Sequence, residues 1–325
     1  MSDDRQADAG SAGIPGLSVL RLHAPCGNHH LRLSLSANHD ADPAEVWIYL
    51  NDALAACIPS FKGACELTGT LHAGGEAPCL TVTMYAPSLL LSEFRMIETG
   101  VPTVYIAGRQ APPVPASFPH KPSANPCYWG RMLPLFLTDR IAVACHPVRG
   151  EEFTLPEDLQ PGDFVFLDIA IPDPMPESFD EKKCRARLET AVRLVRERDA
   201  LPVLVTPLAV NHRVNDIFVD ILSGYANAVV AVGERDRVPV LDLHARSSSA
   251  LRLRDETQAR ALFVPEEVSL TNDPGAFLAA RLIASEIRRI LGWKEGGYQT
   301  LAAAVDTASL KDGSLTEKML LYADV

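Results

Sequence analysis

The chain lacks the features that mark an exported or membrane-embedded protein. Its first residues, Met-Ser-Asp-Asp-Arg-Gln-Ala-Asp-Ala, have neither a basic start nor an apolar core, so neither a signal peptide nor a membrane span is predicted. A cytoplasmic location is the expectation that follows. Positive charge is scarce: 30 Lys and Arg stand against 41 Asp and Glu, a formal net charge of -11. That balance argues against nucleic acid as a partner, because reading a phosphate backbone needs clustered cations. The seven cysteines are odd in number and form no Cys-x-x-Cys pair. They suit reduced, mostly buried thiols better than a disulfide framework.

What is present is apolar patterning over 325 residues, enough for two packed domains. Residues 1–15 are small, polar and acidic and read as a disordered tail. Residues 16–100 carry short alternating runs beginning at Leu17, Leu31, Val46, Leu67 and Leu80, broken by Asn, Asp, Gly and Pro. Period-two alternation of this kind predicts the antiparallel strands of a small β-sandwich, whose plainest role is to buttress its neighbour. His23, Cys26, His29 and His30 are ligand types that suit zinc, but their spacing is no standard finger and no second pair completes it. They read as a polar loop, and neither a metal nor a cofactor is expected.

From residue 101 to 294 the pattern becomes β-α alternation. Near-continuous apolar runs start at Val104, Ile141, Asp163, Leu201 and Val238, as in a parallel sheet covered on both faces. Cys184, Leu188, Ala191, Val192 and Val195 make one helical stripe. Phe218, Ile221, Leu222, Tyr225, Val229 and Val232 make another. A third helix is predicted to start near Asp273 to Gly275, with Ala276, Ala280, Ile283, Ile287, Ile290 and Leu291 on one face. Residues 295–325 read as a helical extension that packs back on the domain or against a second subunit, which leaves a homo-oligomer open. In such folds ligands bind at the carboxyl ends of the strands.

The segments Val104-Tyr-Ile-Ala-Gly, Trp129-Gly-Arg-Met-Leu-Pro, Gly162-Asp-Phe-Val-Phe-Leu-Asp, Val203-Leu-Val-Thr-Pro and Thr271-Asn-Asp-Pro-Gly-Ala occur in this order over about 190 residues. In content and order they resemble the SGNH/GDSL hydrolases, in particular the rhamnogalacturonan-acetylesterase-like branch. The resemblance implies a three-layer α/β/α domain with a five-stranded parallel sheet, here preceded by the small β-sandwich. It also implies where catalysis would sit, and there the chain departs from the pattern. Gln110 stands at the position of the nucleophilic Ser, Pro172 at that of the oxyanion-hole Asn, Glu267 at that of the catalytic Asp and Leu270 at that of the His base. No Gly is evident around His146-Pro147, where the second oxyanion donor belongs. An amide side chain cannot be deprotonated to attack an ester.

No Gly-x-Ser-x-Gly elbow or Asp-x-x-His pair occurs elsewhere to replace the missing groups. The expected function is therefore that of a degenerate hydrolase, a pseudoenzyme that binds a small-molecule, glycan or acylated ligand, or a protein partner. Its cleft is expected to gather Arg109, Gln110, His146, Arg149, Asp173, His212, Arg213 and Glu267. The alternative is an esterase or acyltransferase rebuilt from Cys145, His146, His212 and Glu267. Cys145 and His146 cannot easily pair, because neighbours on a strand point to opposite faces. Asp242, His244 and Ser247 to Ser249 read as scaffold.

Overall fold

A computed structural model describes residues 7–11, 17–37, 44–51, 53–75, 79–85, 89–109, 124–148, 150, 152–172, 175–265, 267–294 and 297–312. In chain order its strands begin with Ala7–Ser11 (β1), Leu17–His23 (β2), Gly27–Ala37 (β3), Ala44–Leu50 (β4), Ala53–Phe61 (β5), Ala64–Ala73 (β6), Cys79–Tyr85 (β7) and Leu89–Thr99 (β8). Thr103–Gly108 (β9), Ala142–Pro147 (β10), Phe164–Asp168 (β11) and Leu201–Val205 (β12) follow. Two short hairpins are formed by Arg213–Val214 (β13) with Ile217–Phe218 (β14), and by Phe263–Val264 (β16) with Glu267–Thr271 (β17). Val240–Leu241 (β15) lies between them in sequence. The helices are Trp129–Met132 (α1), Glu181–Arg196 (α2), Ser223–Asp236 (α3), Leu243–Arg252 (α4), Glu256–Arg260 (α5), Asp273–Glu286 (α6), Tyr298–Ala303 (α7) and Thr307–Lys311 (α8).

The strands gather chiefly into two sheets. One is five-stranded, ordered β1-β2-β7-β4-β5, and every pairing in it is antiparallel. The other is eight-stranded and mixed, ordered β15-β12-β11-β9-β10-β6-β3-β8. Its first five strands run parallel, and β6, β3 and β8 continue it antiparallel to one another. The join is a single parallel register pair, Val143 with Leu71. The five parallel strands therefore do not make a sheet of their own. Part of the tail expected over residues 1–15 is also a strand, since Ala7–Ser11 pairs in register with Ser18–Leu22. Backbone pairing at a sheet edge asks little of side chains, so polar composition did not forbid it.

Alternation decides which core each residue joins. On β9, Val104 and Ile106 pack with α1 and α6, whereas Tyr105 and Ala107 pack with α2 and α3. That gives the three layers of the α/β unit. On β4, Val46, Ile48 and Leu50 enter the apolar layer shared with β2, β7 and β3, while Trp47 and Tyr49 enter the core beneath α6. The run Val-Trp-Ile-Tyr-Leu is continuous because both faces of this strand are covered. The C-terminal helices pack back on the same core: Leu301, Ala304 and Val305 are buried there, and the Tyr298 hydroxyl donates to Pro202 O at 2.9 Å.

Local chemistry explains the helix starts. α6 begins where predicted: Asn272 is its N-cap, accepting from Gly275 N at 3.1 Å. The helix expected from Phe218 begins instead at Ser223. Asp220 accepts from Leu222 N at 3.1 Å and pairs with His244 at 3.0 Å, which holds residues 219–222 in a turn.

At the amino ends of β9 and β11 a polar network ties the N-terminal strands β3 and β6 to the parallel part of the same sheet. Asn28 Nδ2 donates to Val101 O at 2.7 Å and to Thr103 Oγ1 at 2.9 Å. His72 lies with Nδ1 2.8 Å from Asn28 Oδ1 and Nε2 2.6 Å from Asp158 Oδ2. Burial works to raise the Asp158 carboxyl, but the hydrogen bond and charge of His72 prevail and hold it below its ordinary value. Of the zinc-like cluster, His29 faces Pro25 O, His30 faces Thr70 Oγ1 and Cys26 donates to Asp158. Among the described residues no group of three or more His, Cys, Asp or Glu is arranged to hold a metal.

Two outcomes are expected. A Cβ at Gly275 would lie 1.9 Å from Leu262 O, so Gly275→Ala should cost about 2–4 kcal/mol in urea unfolding, and a loss under 1 kcal/mol would contradict this packing. Because the folded Asp158 carboxyl is held low, its contribution is present above the unfolded carboxylate pKa of about 4 and lost as pH falls through the folded value. The stability gap between wild type and Asp158→Asn should therefore shrink on going from neutral to strongly acidic pH. A gap that stays constant across urea titrations would refute the assignment.

Candidate functional site

A crevice of about 270 Å³ opens at the carboxyl ends of β9, β11 and β12. Arg109 enters it directly after β9, Asp168 and Ile171 from the end of β11, and Pro207, Leu208 and Val210 from the segment after β12. Its other walls are Pro126 to Trp129, Met175, His212, Ile221 with Leu222, and Val268 to Thr271 on β17. This is the face on which doubly wound sheets bind ligands.

Asp168 is a half-buried carboxylate in the wall. Its Oδ2 accepts from the Tyr128 hydroxyl at 2.7 Å and from Trp129 Nε1 at 3.0 Å. Burial raises its carboxyl above the usual range, although both donors work the other way. The Tyr128 hydroxyl is pushed well above its ordinary value, by burial first and then by the charge of Asp168. Gly108 makes the cluster possible, since a Cβ there would lie 2.7 Å from Asp168 O and 3.0 Å from the Tyr128 oxygen. Thr271 closes the same wall by donating to Cys127 O at 2.6 Å.

The structure brings some of the expected residues together and separates others. Arg109, His212 and Leu270 line the crevice. Glu267 is exposed beside it, accepting from Ser269 N at 3.1 Å and Ser269 Oγ at 2.6 Å. Those bonds, with the charge of Arg109 assisting, hold its carboxyl below the ordinary value. His146 is not part of the crevice wall. Its Nε2 lies 2.8 Å from Thr154 O, burial lowers its pKa, and its neighbour Cys145 is exposed. Pro172 is half-buried beyond β11. Arg213, expected to reach a ligand, instead spends its guanidinium on the carbonyls of Asp216, Leu251 and Arg254 and on Asn211 Oδ1. Gln110, Arg149 and Asp173 lie outside the described residues.

The Asp242 to Ser249 stretch is scaffold. Asp242 caps α4 by accepting from Ala245 N, and Ser247 accepts from Ala209 N while donating to Leu243 O. His244 sits between Asp220 and Pro207 O and pins the loop that carries the crevice wall. Sequence reasoning missed Asp168, Tyr128 and Trp129 as one cluster. The available signal was a carboxylate closing an otherwise apolar strand, Phe-Val-Phe-Leu-Asp.

Tyr128→Phe leaves a buried carboxylate with one donor fewer. It should destabilise the protein by about 1–3 kcal/mol and raise the Asp168 pKa further. Urea unfolding and carboxyl NMR titration measure the two effects, and an unchanged Asp168 titration would show that the hydroxyl does not hold the charge.

Comparison with known proteins places these features. No family model matches the chain. A probable rhamnogalacturonan acetylesterase of Bacillus subtilis, YesY, is 24% identical over 187 residues, covering 52% of this chain and 86% of that protein. The crystal structure of YxiM from Bacillus subtilis superposes with a TM-score of 0.51 at 17% identity, covering 84% of this chain and 80% of that one. A family two carbohydrate esterase from Cellvibrio japonicus covers 91% of this chain and 99% of its own at a TM-score of 0.41 and 12% identity. The chain is thus similar in sequence to a rhamnogalacturonan acetylesterase homologue and shares the mixed α/β fold of YxiM, a likeness to the SGNH/GDSL-type carbohydrate esterases.

Proposed function

We propose that this chain is a catalytically degenerate SGNH-hydrolase-like protein, one that keeps the esterase cleft for binding a carbohydrate, an acylated ligand or a protein partner. The observation that carries this reading is the state of the crevice wall. Leu270, at the position the family gives to its base, contributes an aliphatic side chain to the wall, and Glu267, at the position of the catalytic Asp, is bonded to Ser269. Without an imidazole poised between carboxylate and nucleophile, a serine-esterase cycle has no route for its proton. Tyr128 and Trp129 spend their hydrogen-bond donors inward on Asp168. A cleft of this kind holds a shape more readily than it moves a proton.

The N-terminal strands, on this reading, buttress the cleft from behind. They share the α6 core through Trp47 and Tyr49, and Tyr49 Oη lies 3.5 Å from Asp273 Oδ2 on the first turn of α6.

Acetate release from aryl acetates and from acetylated sugars tests the proposal. Wild type, Glu267→Ala, His146→Ala and His212→Ala should all match buffer. Turnover by wild type that disappears in any one variant would establish the alternative, an esterase or acyltransferase rebuilt on those residues or on Cys145.

A further inference from the structure

We propose that β8 is a self-association edge, and that its partner is a second copy of this chain. The two β8 strands pair antiparallel about Phe94, so that Glu93 faces the partner's Arg95 and Arg95 faces the partner's Glu93. The mixed sheet then continues from one copy into the other. The inference goes beyond the reading of the crevice and does not depend on what the crevice holds. Three observations carry it.

The first is that the edge is open. β8 ends the eight-stranded sheet beyond β3, and among the described residues no strand pairs with its outer side. Its sequence, Leu-Leu-Leu-Ser-Glu-Phe-Arg-Met-Ile-Glu-Thr, contains neither Lys nor Pro, residues that commonly block pairing at an edge. Glu93, Arg95 and Glu98 are exposed along it, and Ile97 is 64% exposed. Such an edge presents a row of N–H and C=O groups that a second strand can take up.

The second is how charge is laid across the outer face of the sheet. Arg32 on β3 stands in register with Arg95 on β8 and with Thr68 on β6, so that rung carries two cations. On the neighbouring rung Ser34 stands between Glu93 on β8 and Glu66 on β6, so that rung carries two anions. Like charges directly opposite each other are unfavourable, and the bridges that relieve them run diagonally or along the strand. Arg32 is paired to Glu66, and Arg95 Nε lies 2.8 Å from Glu93 Oε1. Antiparallel pairing about Phe94 sets each cationic rung beside the partner's anionic rung, and symmetry makes the match twice. Centring the pair on Arg95 would oppose two arginines, and centring it on Glu93 two glutamates. Charge therefore selects Phe94.

The third is what the other face brings. Leu91, Phe94 and Met96 are half-buried and rest against the apolar layer between the sheets. Pairing about Phe94 places the two phenyl rings opposite each other at the open end of that layer. The one irregularity in the β3–β8 register falls between Ser34 and Leu35, outside the stretch from Glu93 to Arg95, so the centre of the pairing is regular. At about 3.3 Å per residue and about 10 Å of sheet thickness, the edge offers about 360 Å² per copy. Two copies then bury less than the roughly 1,200 Å² of a tight interface, so the dimer is weak and reversible.

Sedimentation velocity on the full chain at about 1–200 μM tests the proposal, a range suited to a weak dimer. Wild type should pass reversibly from monomer to dimer over that range. Glu93→Arg and Arg95→Glu each set like charges opposite one another twice, and each should weaken the dimer about tenfold or more. The two side chains are 54% and 70% exposed, so both variants should keep the wild-type circular dichroism and urea midpoint. Mixed in equal amounts, the two variants bring two cations on one edge to two anions on the other, and the mixture should dimerise within about threefold of wild type. The double variant Glu93→Arg/Arg95→Glu should do the same on its own. Trp293→Ser, which removes an apolar side chain 88% exposed and outside β8, should leave the dimer unchanged. The proposal is overturned if wild type stays monomeric to about 200 μM, if either single reversal leaves association intact, if the mixture of the two stays monomeric, or if Trp293→Ser abolishes the dimer.

Discussion

The burial of β4 on both faces is the constraint on which the rest of the molecule depends. Val46, Ile48 and Leu50 serve the apolar layer between the two sheets, while Trp47 and Tyr49 serve the core under α6. Neither core can be emptied without exposing the other. A buried strand of this kind removes polar alternation from the sequence and slack from the structure, because a register slip of one residue would exchange two large aromatics for smaller aliphatics in both layers at once. Within the mixed sheet, the Asn28, His72 and Asp158 network links β3 and β6 to the parallel strands with hydrogen bonds in place of packing. Between them, these two connections fix the N-terminal strands against the unit that carries the crevice.

That fixed frame explains how the crevice tolerates so apolar a wall. The segment after β12 is held by Ala209 N on Ser247 and by His244 between Pro207 O and Asp220. β17 is held by Thr271 on Cys127 O and by its pairing with Phe263–Val264. These bonds are made behind the wall. Apolar wall residues such as Leu208, Val210 and Val268 therefore take no part in those bonds through their side chains. Asp168 is the exception, a carboxylate near the mouth whose charge is met from within by Tyr128 and Trp129.

Much of this organisation was legible in the residues. The five parallel runs, the stripe of α2 and the start of α6 at Asp273 follow from periodicity and from the cap chemistry of Asn272. Opposite orientations for Cys145 and His146 follow from strand alternation alone. Other features were not legible, for identifiable reasons. The union of the parallel and antiparallel parts of the mixed sheet passes through one register pair, Val143 with Leu71, and no local pattern encodes a contact that far apart in the chain. β5, Ala-Leu-Ala-Ala-Cys-Ile-Pro-Ser-Phe, is built from weak strand formers with a proline near its end, and it forms because β4 lies alongside it. Arg213 sits beside His212 in sequence and reads as a second cation for the cleft, yet its guanidinium is satisfied by carbonyls near 40 residues away. Long side chains choose partners in space, and spacing along the chain does not report that choice.

The same logic explains what the Thr271-Asn-Asp-Pro-Gly-Ala motif does in this chain. Thr271 ties β17 to the segment before α1, Asn272 caps α6 and also donates to Ala261 O and Phe263 O, and Gly275 is the only residue type that clears Leu262 O. Each of these roles is structural, and substitution at any of them acts on the buried frame. Leu270 and Glu267 lie just upstream on the same strand, where the chain turns from frame to wall. Glu267 is exposed there, so its substitution costs the fold little. A sequence motif shared with an esterase is thus two motifs overlaid, one for the frame and one for the chemistry. In this chain Thr271, Asn272 and Gly275 serve the frame, Leu270 lines the wall and Glu267 bonds to Ser269 on its own strand.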